Sequence, residues 1–132
     1  MNKRVLITAS ILGATAIILG AFGAHALKKV LSVNELETFE VGVKYQFYHA
    51  LFLLFIANIN QLTQKNKRLI LLLTTLGVIF FSGSIYLLSL QNVLGLSLTF
   101  LGPITPLGGS MLIAAWVVLL VRVLKDNTVK EN

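Results

Sequence analysis

The sequence predicts an all-α membrane protein: a four-transmembrane-helix bundle with a short interfacial helix between helices 1 and 2 and a re-entrant segment before helix 4. Three observations predict it. Mean hydropathy is +0.85, with 56% hydrophobic and 12% charged residues, far too apolar for a water-soluble domain of 132 residues. From Leu69 to Val121, 53 residues carry no Asp, Glu, Lys, Arg or His, enough for two spans at about 20 residues each. Lys and Arg sit in short clusters at the ends of the apolar runs, where topology signals lie. That distribution, rather than a nucleic-acid partner, accounts for the net charge of +6. The chain contains no cysteine, which excludes a disulfide framework and a thiolate metal site. Its length fits one domain, residues 1–132.

Span one, residues 5–27, follows the basic start Lys3-Arg4. Ala24-His25-Ala26 resembles a signal-peptidase site, but the apolar run is long for a signal h-region, so a retained span is expected. Ala16, Gly20 and Ala24 fall at intervals of four, the small-residue pattern that lets helix backbones approach in lipid. Helix 1 is therefore expected at the centre of the bundle. In the polar loop that follows, Ser32 and Glu35 have capping-box spacing. Leu36, Phe39 and Val43 recur at helical spacing, predicting a short surface helix that runs into span two, residues 43–61.

After the basic turn Asn60 to Arg68 comes span three, residues 69–90. Thr75, Ser82, Tyr86 and Ser89 form one polar stripe on it, and Gly77 and Gly83 permit close packing. Val93 to Leu101 is too short to cross and is read as an outer re-entrant or interfacial segment. In Thr105-Pro106 the Thr is placed to cap a helix whose first position is the Pro, which starts span four, residues 106–124. The polar tail from Lys125 is expected to fray.

Four spans put both termini on one side of the membrane. Lys3, Arg4, Lys65, Lys67, Arg68, Arg122, Lys125 and Lys130 lie on that side, against Lys28, Lys29 and Lys44 on the other. The positive-inside rule makes the richer side cytoplasmic. His25 then lies roughly 3 Å inside the outer end of span one, and His49 roughly 9 Å inside the outer start of span two. Tyr45, Gln46 and Tyr48 accompany His49. Ser82 and Tyr86 approach from span three, and Thr105, Gly108 and Gly109 from span four. All four helices thus bring polar groups to one outer layer, where each must face the bundle interior or water.

Two readings of that layer compete. One is a structural network in which each interhelical bond contributes about 0.6 to 2 kcal/mol. The other is a pocket for a lipid, a small apolar molecule or a partner helix from another membrane protein, because ionisable groups inside membranes mark sites. A homo-oligomeric transporter or proton-coupled channel using His25 and His49 is an alternative. A bis-His haem or copper site on the same pair is a further one, although no third metal ligand is evident. No cofactor or metal is implied otherwise. An enzyme is not expected, since Asp126 lies in the tail and the loop glutamates lie outside the layer. Trp116 reads as packing, and Gly108-Gly109 reads equally well as a close helix contact.

Four motifs add a family resemblance: GAFGAHAL (20–27), YQFYHALFLL (45–54), FSGSIYLL (81–88) and LGPITPLGG (101–109). In that order and spacing the chain resembles domain-of-unknown-function family 423, small integral membrane proteins of bacteria whose eukaryotic relatives include transmembrane protein 256. The resemblance runs from about Leu6 to Leu120. It implies a four-helix membrane protein without an established activity, and so carries over no catalytic assignment. The matching motif positions are His25, Tyr45, Gln46, Tyr48, His49, Ser82, Gly83, Tyr86, Thr105, Pro106, Gly108 and Gly109.

Overall fold

The computed structural model describes residues 2–126, folded as α1 (Asn2–His25), α2 (Val33–Asn58), α3 (Gln64–Leu94) and α4 (Ile104–Lys125). Three-residue 3-10 turns occupy Leu27–Lys29 and Thr99–Leu101, and the described residues contain no strand. The fraying expected of the tail concerns residues beyond Asp126, which lie outside the described range. Three segments are long and apolar enough to cross a membrane: Asn2–Lys29, Gln64–Leu94 and Thr99–Lys125. At 26 residues α2 is long enough too. Lys44, Tyr45, Gln46, Tyr48 and His49 in its middle dilute its hydropathy.

The helices pack in chain order, α1 on α2, α2 on α3 and α3 on α4, with only slight contact between α1 and α3. The central pair is therefore α2–α3, and α1 flanks it, contrary to the expectation that helix 1 is central. Lipid is as apolar as Leu, so close van der Waals contact rather than water exclusion holds such helices together. Along α1, a Cβ at Gly13 would meet Ala50 at 3.6 Å, one at Gly20 would meet Val43 at 3.3 Å, and one at Gly23 would meet Phe39 at 3.1 Å. Ala16 and Gly23 are buried while Ala24 is exposed. The expected Ala16-Gly20-Ala24 stripe thus turns to Gly23 at its last step, because 3.6 residues per turn drifts across four-residue spacing.

Between α3 and α4 the approach is closer. A Cβ at Gly77 would lie 2.7 Å from the Leu112 side chain, and one at Gly108 would collide with the backbone of Phe80 and Phe81. Gly83, expected to pack, faces open space.

The element ends follow from local chemistry. Ser32 accepts from the Glu35 amide at 3.1 Å while Glu35 accepts from the Ser32 amide at 3.0 Å, the capping box foreseen in the sequence. Glu35 also accepts from Asn92 of α3 at 3.3 Å. From that cap the helix runs unbroken to Asn58, so no separate interfacial helix stands between α1 and α2. Nothing in residues 33–58 removes a helical hydrogen bond, and the amphipathic start merges into the apolar remainder.

Helix α3 begins at Gln64 and continues to Leu94, four residues past the predicted end, and stops at Gly95, whose φ of 67° needs no Cβ. The segment read as re-entrant therefore consists of the end of α3, that glycine, a loop and the 3-10 turn. Thr105 does not cap α4: the N-cap position is Pro103, without a side-chain bond, and the Thr105 hydroxyl is engaged elsewhere.

Lys67, 2% exposed, ties three helix ends together. Its Nζ donates to Asn2 Oδ1 at 2.9 Å and to the Ala57 carbonyl at 3.1 Å. The Ala57 carbonyl is one of the last four of α2, which lack helical partners and sit at the negative end of the helix dipole. The side chain counted as a topology signal is thus a helix cap.

Candidate functional site

The polar residues of α2 separate by the 100° that each helical residue turns, and they build two different structures. Gln46, 5% exposed, faces α1 and α3. Its Nε2 donates to the Leu12 carbonyl at 2.9 Å and to Thr15 Oγ1 at 2.7 Å, and its Oε1 accepts from the Tyr86 hydroxyl at 2.6 Å. Thr15 donates onward to Ile11 O at 2.7 Å. One amide thereby joins three helices, with both hydrogens and its oxygen engaged. Ser82, fully buried, donates to Gly42 O at 2.7 Å. There Gly42 is needed, since a Cβ would sit 2.7 Å from the Tyr86 ring. Ser84 and Thr105 share a 2.6 Å hydrogen bond between α3 and α4. This part is a closed polar knot.

His49 lies three residues on and faces α4. Its Nδ1 is 2.7 Å from Tyr45 O, which can only accept, and its Nε2 is 3.1 Å from Trp116 Nε1, which can only donate. Together the two partners assign the neutral Nδ1–H tautomer and use both ring nitrogens. Around this pair lies a groove of about 330 Å³ lined by Tyr45, His49, Phe81, Gly109, Leu112, Ile113 and Trp116. Its walls carry aromatic contacts, Tyr45–Phe81 at 5.1 Å and His49–Trp116 at 6.2 Å between ring centroids, and the Phe52 ring centroid lies 4.1 Å from that of Trp116. Gly109 leaves room, because a Cβ there would only reach Phe81 at 3.5 Å. The groove runs from about 8 to 18 Å along α4 from its first residue, nearer mid-depth than the predicted outer layer.

Of the residues the sequence singled out, Gln46, Ser82 and Tyr86 enter the knot, and Thr105 bonds Ser84 between α3 and α4. Tyr45, His49 and Gly109 line the groove, and Gly108 is the backbone contact with α3. Tyr48, 53% exposed, lines a separate α1–α2 groove with Lys44 and Gly20. His25 is exposed at the end of α1. Since Gly13 faces Ala50 and Gly23 faces Phe39, His25 is level with residues 37–38, about 17 Å along the bundle from His49. The two histidines do not share a depth, and one haem or copper ion cannot bridge them. A relay from one to the other likewise lacks its geometry.

The sequence reading missed Thr15 and the role of Trp116. A signal for Trp116 was present: an indole N–H at mid-span requires an acceptor, and few side chains at that depth offer one.

The profile of the family described as "Protein of unknown function (DUF423)" matches residues 19–109. The chain is 42% identical to the UPF0382 membrane protein SH2409 of Staphylococcus haemolyticus, over 80% of this chain and 83% of that one. It is 35% identical to the UPF0382 membrane protein YwdK of Bacillus subtilis, over 93% and 98%. It is 33% identical to the UPF0382 inner membrane protein YgdD of Escherichia coli K12, over 94% and 92%. No solved structure matches the chain. With a family profile spanning most of its length and near full-length relatives among membrane proteins, this chain belongs to the DUF423 family of membrane proteins.

Proposed function

We propose that this is a binding or accessory protein of the inner membrane, whose α2–α3–α4 groove holds a lipid acyl chain or a small apolar molecule. The observation that carries the reading is the groove itself. It is an aromatic recess of about 330 Å³ at membrane depth in which the one strongly polar side chain, His49, already has both nitrogens bonded. Such a surface offers dispersion and ring contacts, with the Tyr45 hydroxyl among them, and no charge, so it suits a largely apolar occupant. Four crossings with both termini cytoplasmic complete the proposal. The antiparallel register of α2 along α1 supports a shared depth, the charge asymmetry supports the orientation, and the printed name of the Escherichia coli relative supports the inner membrane.

Native mass spectrometry of protein released from bilayers tests the occupant. From bilayers of phosphatidylcholine alone, wild type should retain apolar or lipid adducts that Gly109→Leu, which fills the groove, loses; equal retention by both would sink the reading. For topology, a cysteine at Glu37 should react with an impermeant reagent added from outside and one at Asn66 should not. The reverse pattern would invert the orientation.

A further inference from the structure

At the end of the bundle away from the α2 capping box, two grooves flank one ridge of α3. The first, about 320 Å³ between α1 and α3, is lined by Arg4, Thr8, Arg68, Leu71, Leu72 and Thr75. The second, about 310 Å³ between α3 and α4, is lined by Lys65, Asn66, Arg68, Leu69, Leu72 and Arg122. Arg68 and Leu72 belong to both. They are one helical turn apart, so they form the crest that separates the grooves. Each groove therefore has a second cation of its own beside the shared guanidinium, Arg4 on one side and Lys65 with Arg122 on the other. Each continues into leucine below the charges.

Among the described residues, the carboxylates Glu35, Glu37 and Glu40 lie in the first turns of α2, at the opposite end, and Asp126 lines neither groove. Lys67 is buried in its helix-end cap, bonded to Asn2 and the Ala57 carbonyl, and lines neither groove. The four rim cations are exposed.

We propose that this ridge binds an anionic phospholipid whose head group carries two phosphates, of the diphosphatidylglycerol type. Arg presents a planar fork that pairs with phosphate oxygens two at a time, and basic recesses between helices at a membrane surface suit such head groups. One phosphate lies between Arg4 and Arg68 and the other between Arg68 and the Lys65–Arg122 pair, with the glycerol bridge over the Arg68 crest. The acyl chains descend along Leu71 and Leu72 on one side and Leu69 and Leu72 on the other. A lipid with one phosphate fills only one groove and leaves the second set of cations unpaired. This inference does not depend on the occupant of the aromatic groove, which shares none of these residues.

The test is native mass spectrometry of the full-length protein from nanodiscs containing equimolar diphosphatidylglycerol, phosphatidylglycerol and phosphatidylcholine. The expected result is retention of the two-phosphate lipid about tenfold over phosphatidylglycerol, a preference that Arg68→Gln reduces about tenfold. Adding inorganic phosphate should not displace it. Because Arg68 is exposed, the variant should keep its fold, which the emission of Trp116 reports. A Lys28→Gln/Lys29→Gln double variant, at the opposite end, should bind as wild type. Equal retention of the one- and two-phosphate lipids, indifference to Arg68→Gln, displacement by free phosphate, or an equal loss in the Lys28/Lys29 variant would each overturn the proposal.

Discussion

Gln46 and His49 stand three residues apart on one helix and belong to structures of opposite kind. Gln46 is closed in on two sides by α1 and α3, with every donor and its acceptor oxygen used. His49 has its two nitrogens used as well, yet its ring forms a wall of open space. The difference lies in what the neighbouring helices bring. Opposite Gln46 are Thr15, a backbone carbonyl and Tyr86, which fill the space with polar atoms. Opposite His49 are Gly109 and rings too rigid to close over it. A membrane protein thus satisfies both polar groups, and the ring of only one of them, His49, lines the aromatic recess.

Breaking the knot should cost most. Gln46→Leu removes three interhelical hydrogen bonds and leaves the Tyr86 hydroxyl without its acceptor, so unfolding in mixed micelles should show a loss of about 2 to 3 kcal/mol. Retention of apolar adducts should stay as in wild type, since the knot does not line the groove. Trp116→Phe acts on the other side. It withdraws the donor to His49 Nε2, which should cost about 1 kcal/mol of stability in the same assay and also weaken adduct retention. Gly109→Leu should reverse the balance, changing stability by less than about 1 kcal/mol because the methyl position is in ordinary contact only, while abolishing retention.

The smallest effect concerns the start of α2, outside the membrane-spanning part. The Ser32 backbone amide, and then the Ser32 hydroxyl, hold the Glu35 carboxyl below its ordinary value of 4.5. A depressed value means the ionised form is favoured by folding. Its contribution is therefore present above the ordinary carboxylate range and lost as pH falls through the folded value. NMR shifts of residues 32–36 should report fraying on acidification, with those of residues 46–49 unmoved.

Much of the fold was legible because bilayer thickness and the 3.6-residue repeat constrain it strongly: the apolar runs, the Ser32–Glu35 cap and the end of α4 all follow. Boundaries set by single residues were less so. Thr105 reads as a cap beside Pro106, yet its hydroxyl bonds Ser84 across the interface, a partner no local spacing reveals. The centrality of α1 was misread because small residues permit close approach without saying how many neighbours approach. At the site, the sequence places Tyr45, Gln46, His49, Ser82 and Tyr86 in one layer, whereas the structure divides them between knot and groove. Splitting them requires knowing the register of α1 against α2, and that register also carries His25 away from His49.

The chain has a single tryptophan, and it stands in the groove wall, so its fluorescence tests the central claim directly. In bilayers with increasing fractions of phospholipid brominated at mid-chain, wild-type Trp116 should be quenched along a saturating curve, the mark of a chain held in the groove. In Gly109→Leu the quenching should fall back to a shallow, linear dependence on bulk lipid. Superimposable curves for the two proteins would contradict the account, because they would mean that no chain occupies the space beside His49.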